Sequence, residues 1–61
     1  MKAKQLITKY RQENLVTQKQ LAEKIGVTQS TIVYIEKGYK PSKLTKYKMA
    51  KFFNIPFEEI E

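Results

Sequence analysis

The sequence predicts an all-α fold of five short helical segments in one domain. Three observations predict it. Apolar residues recur three and four positions apart, the spacing of one helical stripe. Residues that cap or break helices fall between the stripes: Asn14, Thr17, Gly26, Thr28, Gly38, Ser42, Asn54 and Pro56. No alternating strand pattern competes with them. Sixty-one residues allow a single domain, residues 1–61, with no room for a second, ligand-sensing one.

The first segment runs from about Lys2 to Glu13. Ala3, Ile7 and Tyr10 lie at i, i+4 and i+7, and Leu6 widens that stripe. Asn14-Leu15 is the stop, with Val16 turning back toward the core. The second segment, Gln18 to Ile25, starts at Thr17, which fits a capping box with Gln20 three residues later. Leu21, Ala22 and Ile25 face inward, and Gly26 suits the left-handed position beyond the helix end. Ala22 is small where a neighbouring helix can approach closely. The third segment has Thr28 as N-cap, runs to about Lys37 and stops at Gly38. Its Ser30–Ile35 stretch is β-rich by composition. The cap before it, the glycine after it and the inward pair Ile32 and Ile35 read as helix all the same.

Tyr39-Lys40-Pro41-Ser42 is a loop, and Ser42 caps the fourth segment, Lys43 to Phe53. There Leu44, Tyr47, Ala50 and Phe53 form the apolar stripe, widened by Met49. Asn54 ends it, as a residue that tolerates left-handed geometry. Ile55 leads into a last short helix, Pro56 to Ile60. Pro56 lies near its first position, with Glu58 and Glu59 at its positive end.

Composition removes several function classes. Cysteine is absent, so no disulfide or thiolate site is available. Histidine is absent too, which removes the commonest general base and metal ligand. No nucleophile–base pair is visible. An enzyme is therefore not expected, and neither is a metal, another cofactor or a small-molecule ligand. No apolar run approaches the ~20 residues of a membrane span. The start, MKAKQLITKYRQEN, has charges but no apolar block and does not read as a secretory signal. A cytoplasmic protein is expected. The charge is the strongest global feature: twelve Lys and Arg against six Glu give +6. Residues 1–57 hold twelve positive and three negative charges, net +9, which points to a polyanion partner.

The stretch Gln18–Lys37, two helices about a Gly26-Val27-Thr28 corner, organises the rest. Around it stand Arg11, Thr17-Gln18, the run from Leu21 to Ile32, Ile35-Glu36-Lys37-Gly38, Pro41-Ser42 and Met49-Ala50. Together these residues resemble the Cro/CI-type helix-turn-helix family, the phage-repressor or XRE-like DNA-binding domains. The resemblance covers about Ile7 to Ile60. It implies a compact five-helix bundle, as in the lambda repressor-like DNA-binding domains, with residues 18–37 as the helix-turn-helix core. The second helix would lie across the DNA backbone, and the third would enter the major groove by its N-terminal end.

Residue by residue, the resemblance puts Gln29, Ser30 and Tyr34 at base-facing positions, with Val33 beside them and in reach of a thymine methyl. It puts Gln18 on a phosphate. Thr28, Thr31, Lys37, Tyr39, Lys40 and Lys43 are candidates for the remaining backbone contacts. Arg11 and Glu36 match a structural ion pair between the first and third helices. Phe53, Ile55, Phe57 and Ile60 are candidates for a homodimer interface, or else close the monomer core. A dimer would place two recognition helices about 34 Å apart on a pseudo-palindromic operator. There are departures from the family pattern. Leu15 stands where many members have Gly, and Lys43 where an apolar residue is frequent. Asn54 and Pro56 stand where Gly and Ser or Thr are common. Tyr34 is larger than usual at its position and has three roles open: a base edge, a phosphate or a sideways contact.

The chemistry of these residues suits those positions. Glutamine offers a donor and an acceptor in one plane, which fits adenine N6 and N7, so Gln29 is the leading base reader. Serine accepts several bases. Val33 divides between the groove and the edge of the core. Lys37, Lys40, Lys43 and Lys46 gather around one loop and one helix start, whereas Lys48 and Lys51 lie too far round for the same duplex. The reading is a sequence-specific DNA-binding transcriptional regulator at the nucleoid, a repressor acting by occupancy. The rival is a protein-interaction module of the same fold, such as an antidote-type partner binder.

Overall fold

The computed structural model describes every residue, Met1–Glu61. The backbone forms α1 (Ala3–Asn14), α2 (Gln18–Ile25), α3 (Gln29–Glu36) and α4 (Lys43–Phe53), followed by a 3-10 turn at Phe57–Glu59. The caps explain most of these limits. At α2 the capping box closes in both directions: Gln20 N–H donates to Thr17 Oγ1 at 3.0 Å, and Thr17 N–H donates to Gln20 Oε1 at 2.8 Å. Thr28 Oγ1 accepts from Thr31 N–H at 3.2 Å, and Ser42 Oγ accepts from Thr45 N–H at 3.3 Å. Three helices end on left-handed residues, Leu15 (φ 52°), Gly26 (φ 91°) and Asn54 (φ 58°).

The fifth helix expected over Pro56–Ile60 is absent; a three-residue turn stands in its place. The physical reason is the conformation of Ile60. It is extended (φ −93°, ψ 121°) and buried in the core, which no continuing helix would allow. The chain ends then pair through their backbones. Glu61 N–H donates to Met1 C=O at 2.7 Å, and Ala3 N–H donates to Glu61 C=O at 3.1 Å. Ile60 is thereby drawn under α1.

The core is aliphatic at its centre: Ile7, Leu21, Ile32, Ile35, Met49 and Ile60 are fully buried. Ala3, Ala22, Ile25 and Ala50 fill the close approaches around them. At one end Tyr10, Phe52 and Phe53 meet edge to face, with centroids 5.1–5.8 Å apart. The stripe expected on α4 is rotated. Leu44 and Tyr47 point to solvent, 64% and 54% exposed, while Thr45, Met49 and Ala50 are buried. A threonine can occupy the inner face because its hydroxyl is satisfied there: Ser42 Oγ donates to Thr45 Oγ1 at 3.1 Å. No helix is long and apolar enough to cross a membrane.

Leu15 is a strained and unsupported helix end. It sits at φ 52° with 89% of its surface exposed, so it packs on almost nothing. Left-handed geometry costs a residue with a Cβ about 1–2 kcal/mol, against the ~0.5–1 kcal/mol of extra chain entropy that glycine loses on folding. Leu15→Gly should therefore stabilise the fold by about 0.5–1 kcal/mol. For a domain of this size that raises the thermal midpoint by roughly 2–8 °C, measurable by circular dichroism.

Candidate nucleic-acid interface

Two opposed faces divide α3. At 100° per residue, Gln29, Ser30, Val33 and Tyr34 fall within an arc of about 140°, and Ile32 and Ile35 point the other way. Both isoleucines are fully buried. Gln29, Ser30 and Tyr34 are exposed, and Val33 is half-buried at the edge of the arc. The buried pair locks the rotation of the helix and so decides which side chains face outward.

Beneath the C-terminal end of α3 lies the polar joint of the structure. The Glu36 carboxylate accepts from Arg11 Nε at 2.9 Å, from Arg11 Nη2 at 3.1 Å and from Gln18 Nε2 at 2.7 Å. Arg11 Nη1 also donates to the Val16 carbonyl at 3.3 Å. One carboxylate thus joins α1, α2 and α3. Burial on its own would push the Glu36 carboxyl up. The bonds from Arg11 and Gln18, with the Arg11 charge, outweigh burial and hold it below the usual carboxylate range. The hydrogen bond to Glu36 raises the Arg11 guanidinium further, against its own desolvation. The Glu36 charge is thereby compensated within the fold by Arg11.

The same joint changes the reading of Gln18. One amide hydrogen of Gln18 is bonded to Glu36, which leaves its second amide hydrogen and its backbone N–H, at the start of α2, without a partner in the fold. Thr28 and Thr31 are also partly engaged, with their hydroxyl oxygens 2.9 Å apart. That mutual bond uses one of the two hydroxyl protons and leaves the other free to donate outward.

Along the loop behind α3, Lys37, Lys40 and Lys43 are exposed, and none makes an ion pair. Lys46 does not join them, because its ammonium lies over the Phe57 ring, 4.9 Å from the centroid. Tyr39 stacks on Tyr34, with centroids 4.8 Å apart and rings inclined by 23°. Of the three roles open to Tyr34, the sideways contact is therefore present. A surface cleft lined by Ser30, Thr31, Tyr34, Lys40, Ser42 and Thr45 separates α3 from the start of α4.

Sequence reasoning missed Lys48. Its ammonium donates to the Gly26 carbonyl at 2.8 Å and so props the corner between α2 and α3 against α4. The carbonyl end of a helix favours a cation, but 22 residues separate the partners and no local pattern links them. Of the C-terminal candidates for a dimer contact, Ile60 is in the monomer core at 1% exposure, and Phe53, Ile55 and Phe57 are half-buried. Phe57 instead stacks on the exposed Tyr47 at 4.2 Å.

A family model described as helix-turn-helix matches residues 7–60. The chain belongs to the Cro/CI-type, XRE-like helix-turn-helix family. It is 48% identical over 52 residues to an uncharacterised HTH-type transcriptional regulator of Methanocaldococcus jannaschii, spanning 84% of this chain and 79% of the relative. An uncharacterised HTH-type transcriptional regulator of Archaeoglobus fulgidus is 44% identical over 55 residues, 88% of this chain and 79% of its own. A third relative, the uncharacterised HTH-type transcriptional regulator YgzD of Bacillus subtilis, is 42% identical over 45 residues, 72% of this chain and 68% of its own. No solved structure gives a significant match.

The Glu36 joint carries a pH signature. A carboxyl held below its unfolded value stabilises the fold above that value, about 4.3, and the stabilisation is lost as pH falls through the folded value. Arg11→Met leaves Glu36 partly buried with only Gln18 as donor. It should cost about 1–3 kcal/mol near neutral pH, and the gap to the wild type should close below about pH 4. Denaturant midpoints measured across pH 3–7 check this; a gap independent of pH would refute it.

Proposed function

We propose that this chain is a DNA-binding transcriptional regulator that reads the major groove with α3 and represses by occupying its site. One observation carries the reading. The exposed arc Gln29–Ser30–Val33–Tyr34 covers the helix face opposite a fully buried one, at the entry end of the helix-turn-helix. Gln29 pairs with adenine through its amide, Ser30 takes a smaller share, and Val33 meets a thymine methyl at the edge of the arc. Gln18, Thr28, Thr31, Lys40 and Lys43 hold the phosphates, with Lys37 beside them. Such contacts set register without reading sequence. Three relatives described as HTH-type transcriptional regulators support the same class.

Repression is favoured over activation by the outer face of α2. Lys19, Gln20, Glu23 and Lys24 are all exposed there, and two lysines with one glutamate offer no acidic patch to a polymerase. The site of action is the nucleoid.

A second copy completes the operator reading. Leu44, Tyr47 and the Phe57 ring form an apolar face on the outer side of α4. Lys43 and Lys46 border it along α4, and the exposed carboxylates Glu58 and Glu59 follow Phe57 in the chain, so the surface carries both charges and an apolar centre, as an isologous contact needs. This face, rather than Ile60, is the dimer surface in our reading, and the operator is pseudo-palindromic. Sedimentation equilibrium should give two protomers on a full operator, and Leu44→Glu should leave a single protomer per duplex at protein concentrations that fill both half-sites with the wild type. A wild-type monomer both free and on the full operator would refute the dimer.

Selection of bound sequences from random duplexes tests the function itself. A defined consensus is expected, and salt-sensitive binding without one would instead support a partner-binding module. Gln29→Ala should lower discrimination at one base pair by about 1–3 kcal/mol and leave the salt slope unchanged. Lys43→Gln should weaken binding to every sequence and flatten that slope by about 0.9, one phosphate.

A further inference from the structure

Two tyrosines sit ring against ring at the edge of the reading face. Tyr34 belongs to α3 and Tyr39 to the loop behind it, with centroids 4.8 Å apart and rings inclined by 23°. That is an offset-stacked pair at a favourable distance. The core does not hold them in place, since Tyr34 is 49% and Tyr39 57% exposed. The chain itself does. Gly38, at φ 101°, turns the backbone sharply after α3 and brings the ring five residues on back over Tyr34. The cleft beside Ser30 and Lys40 also borders Tyr34. An aromatic ring on an open helix surface samples several rotamers; one laid on a flat partner samples fewer, and less freedom is lost when a ligand binds.

We infer that Tyr39 is a positioning residue for base recognition: its ring holds Tyr34 in the orientation in which Tyr34 meets a base pair of the target. The loop after α3 then contributes to sequence choice without touching a base. The stacked face of Tyr39 does this, and its hydroxyl is not required. This rests on the groove-reading function proposed above. It gives Tyr39 a different role from the phosphate contact that the family resemblance implies. Tyr34 has its free face for a thymine methyl and its hydroxyl for a base-edge donor or acceptor.

The test measures binding to a panel of duplexes in which each base pair of the selected site is replaced in turn. The proteins compared are the wild type, Tyr34→Ala, Tyr39→Ala, Tyr39→Phe, the Tyr34→Ala/Tyr39→Ala double variant and Gln29→Ala. Tyr34→Ala should lose discrimination at one base pair, by about tenfold. Tyr39→Ala should lose it at that same base pair and nowhere else, and the double variant should lose no more than Tyr34→Ala alone. Tyr39→Phe, which keeps the ring and drops the hydroxyl, should match the wild type. Should Tyr39→Ala be poorly folded, Tyr39→Leu removes the flat ring with less loss of bulk and reads out the same way. The proposal is overturned if Tyr39→Ala weakens all duplexes equally with a shallower salt slope, because that is a phosphate contact. It is overturned also if Tyr39→Phe behaves like Tyr39→Ala, or if Tyr34→Ala changes no base preference. Gln29→Ala separates the two levels. If it alters preference at its own base pair while the tyrosine variants alter none, only the positioning role falls. If no variant alters preference anywhere, the groove reading falls with it.

Discussion

The Glu36 carboxylate is the point at which the fold and the interface become one problem. It sits at the last residue of α3, where Arg11 reaches it from α1 with two nitrogens and Gln18 from α2 with one. Three helices therefore converge on a single anion that accepts three hydrogen bonds. Ion pairs at a surface are worth little, but here both side chains are largely covered, at 28% and 14% exposure, and the geometry is bidentate. The joint fixes the angle of α3 against its supports more closely than the aliphatic contacts do alone, because those contacts have no preferred direction. It also pairs a negative charge with Arg11 on the face where Lys37, Lys40 and Lys43 stand exposed and unpaired.

Around that joint, α3 serves two demands with eight residues. Ile32 and Ile35 must be buried, and what remains of the helix must face outward. Two struts help to hold the arrangement. Lys48 braces the α2–α3 corner through the Gly26 carbonyl, and Gly38 lets the chain reverse so that Tyr39 covers one side of Tyr34. Each strut contacts an element far from its own in sequence or lies beyond a reversal of the chain. The placement of the exposed face is thus a tertiary property, although the residues on it belong to one short helix.

That difference explains what was legible in the sequence. The span of α2 could be read to the residue, and that of α4 closely, because their limits are local: Thr17 with Gln20, Gly26, Ser42 and Asn54 each act within one turn. The outward arc of α3 was legible because the spacing of Ile32 and Ile35 leaves only one face free. The inner face of α4 was not. Composition favours Leu44 and Tyr47 as core residues, yet the helix turns Thr45 and Met49 inward, and only the Ser42–Thr45 bond makes a buried threonine tolerable. The fifth helix failed for a similar reason. Pro56, Glu58 and Glu59 are sound helix-start residues, but the pairing of Glu61 with Met1 and Ala3 sets the conformation of Ile60 across nearly the whole chain.

The misread face of α4 also bears on how the surface is divided. Had Leu44 and Tyr47 gone inward, the outer side of α4 would be a lysine-rich surface like the rest of the chain. Instead two large apolar side chains stand in solvent beside Phe57, in a domain with little core to spare. Exposed single apolar residues need no explanation, but a contiguous set on one helix face does. Lys46, folded over Phe57, belongs to that set and not to the exposed, unpaired lysines Lys37, Lys40 and Lys43. The start of α4 therefore separates two chemistries. Lys40 and Lys43 present charge to solvent, while Leu44 and Tyr47, with Phe57 beside Tyr47, present apolar surface. A second protomer docked there, as proposed, would lie next to the lysine-bearing start of the helix. In the proposed dimer, any shift in how the two copies meet would shift both recognition helices along the duplex, which would tie operator spacing to the packing of α4.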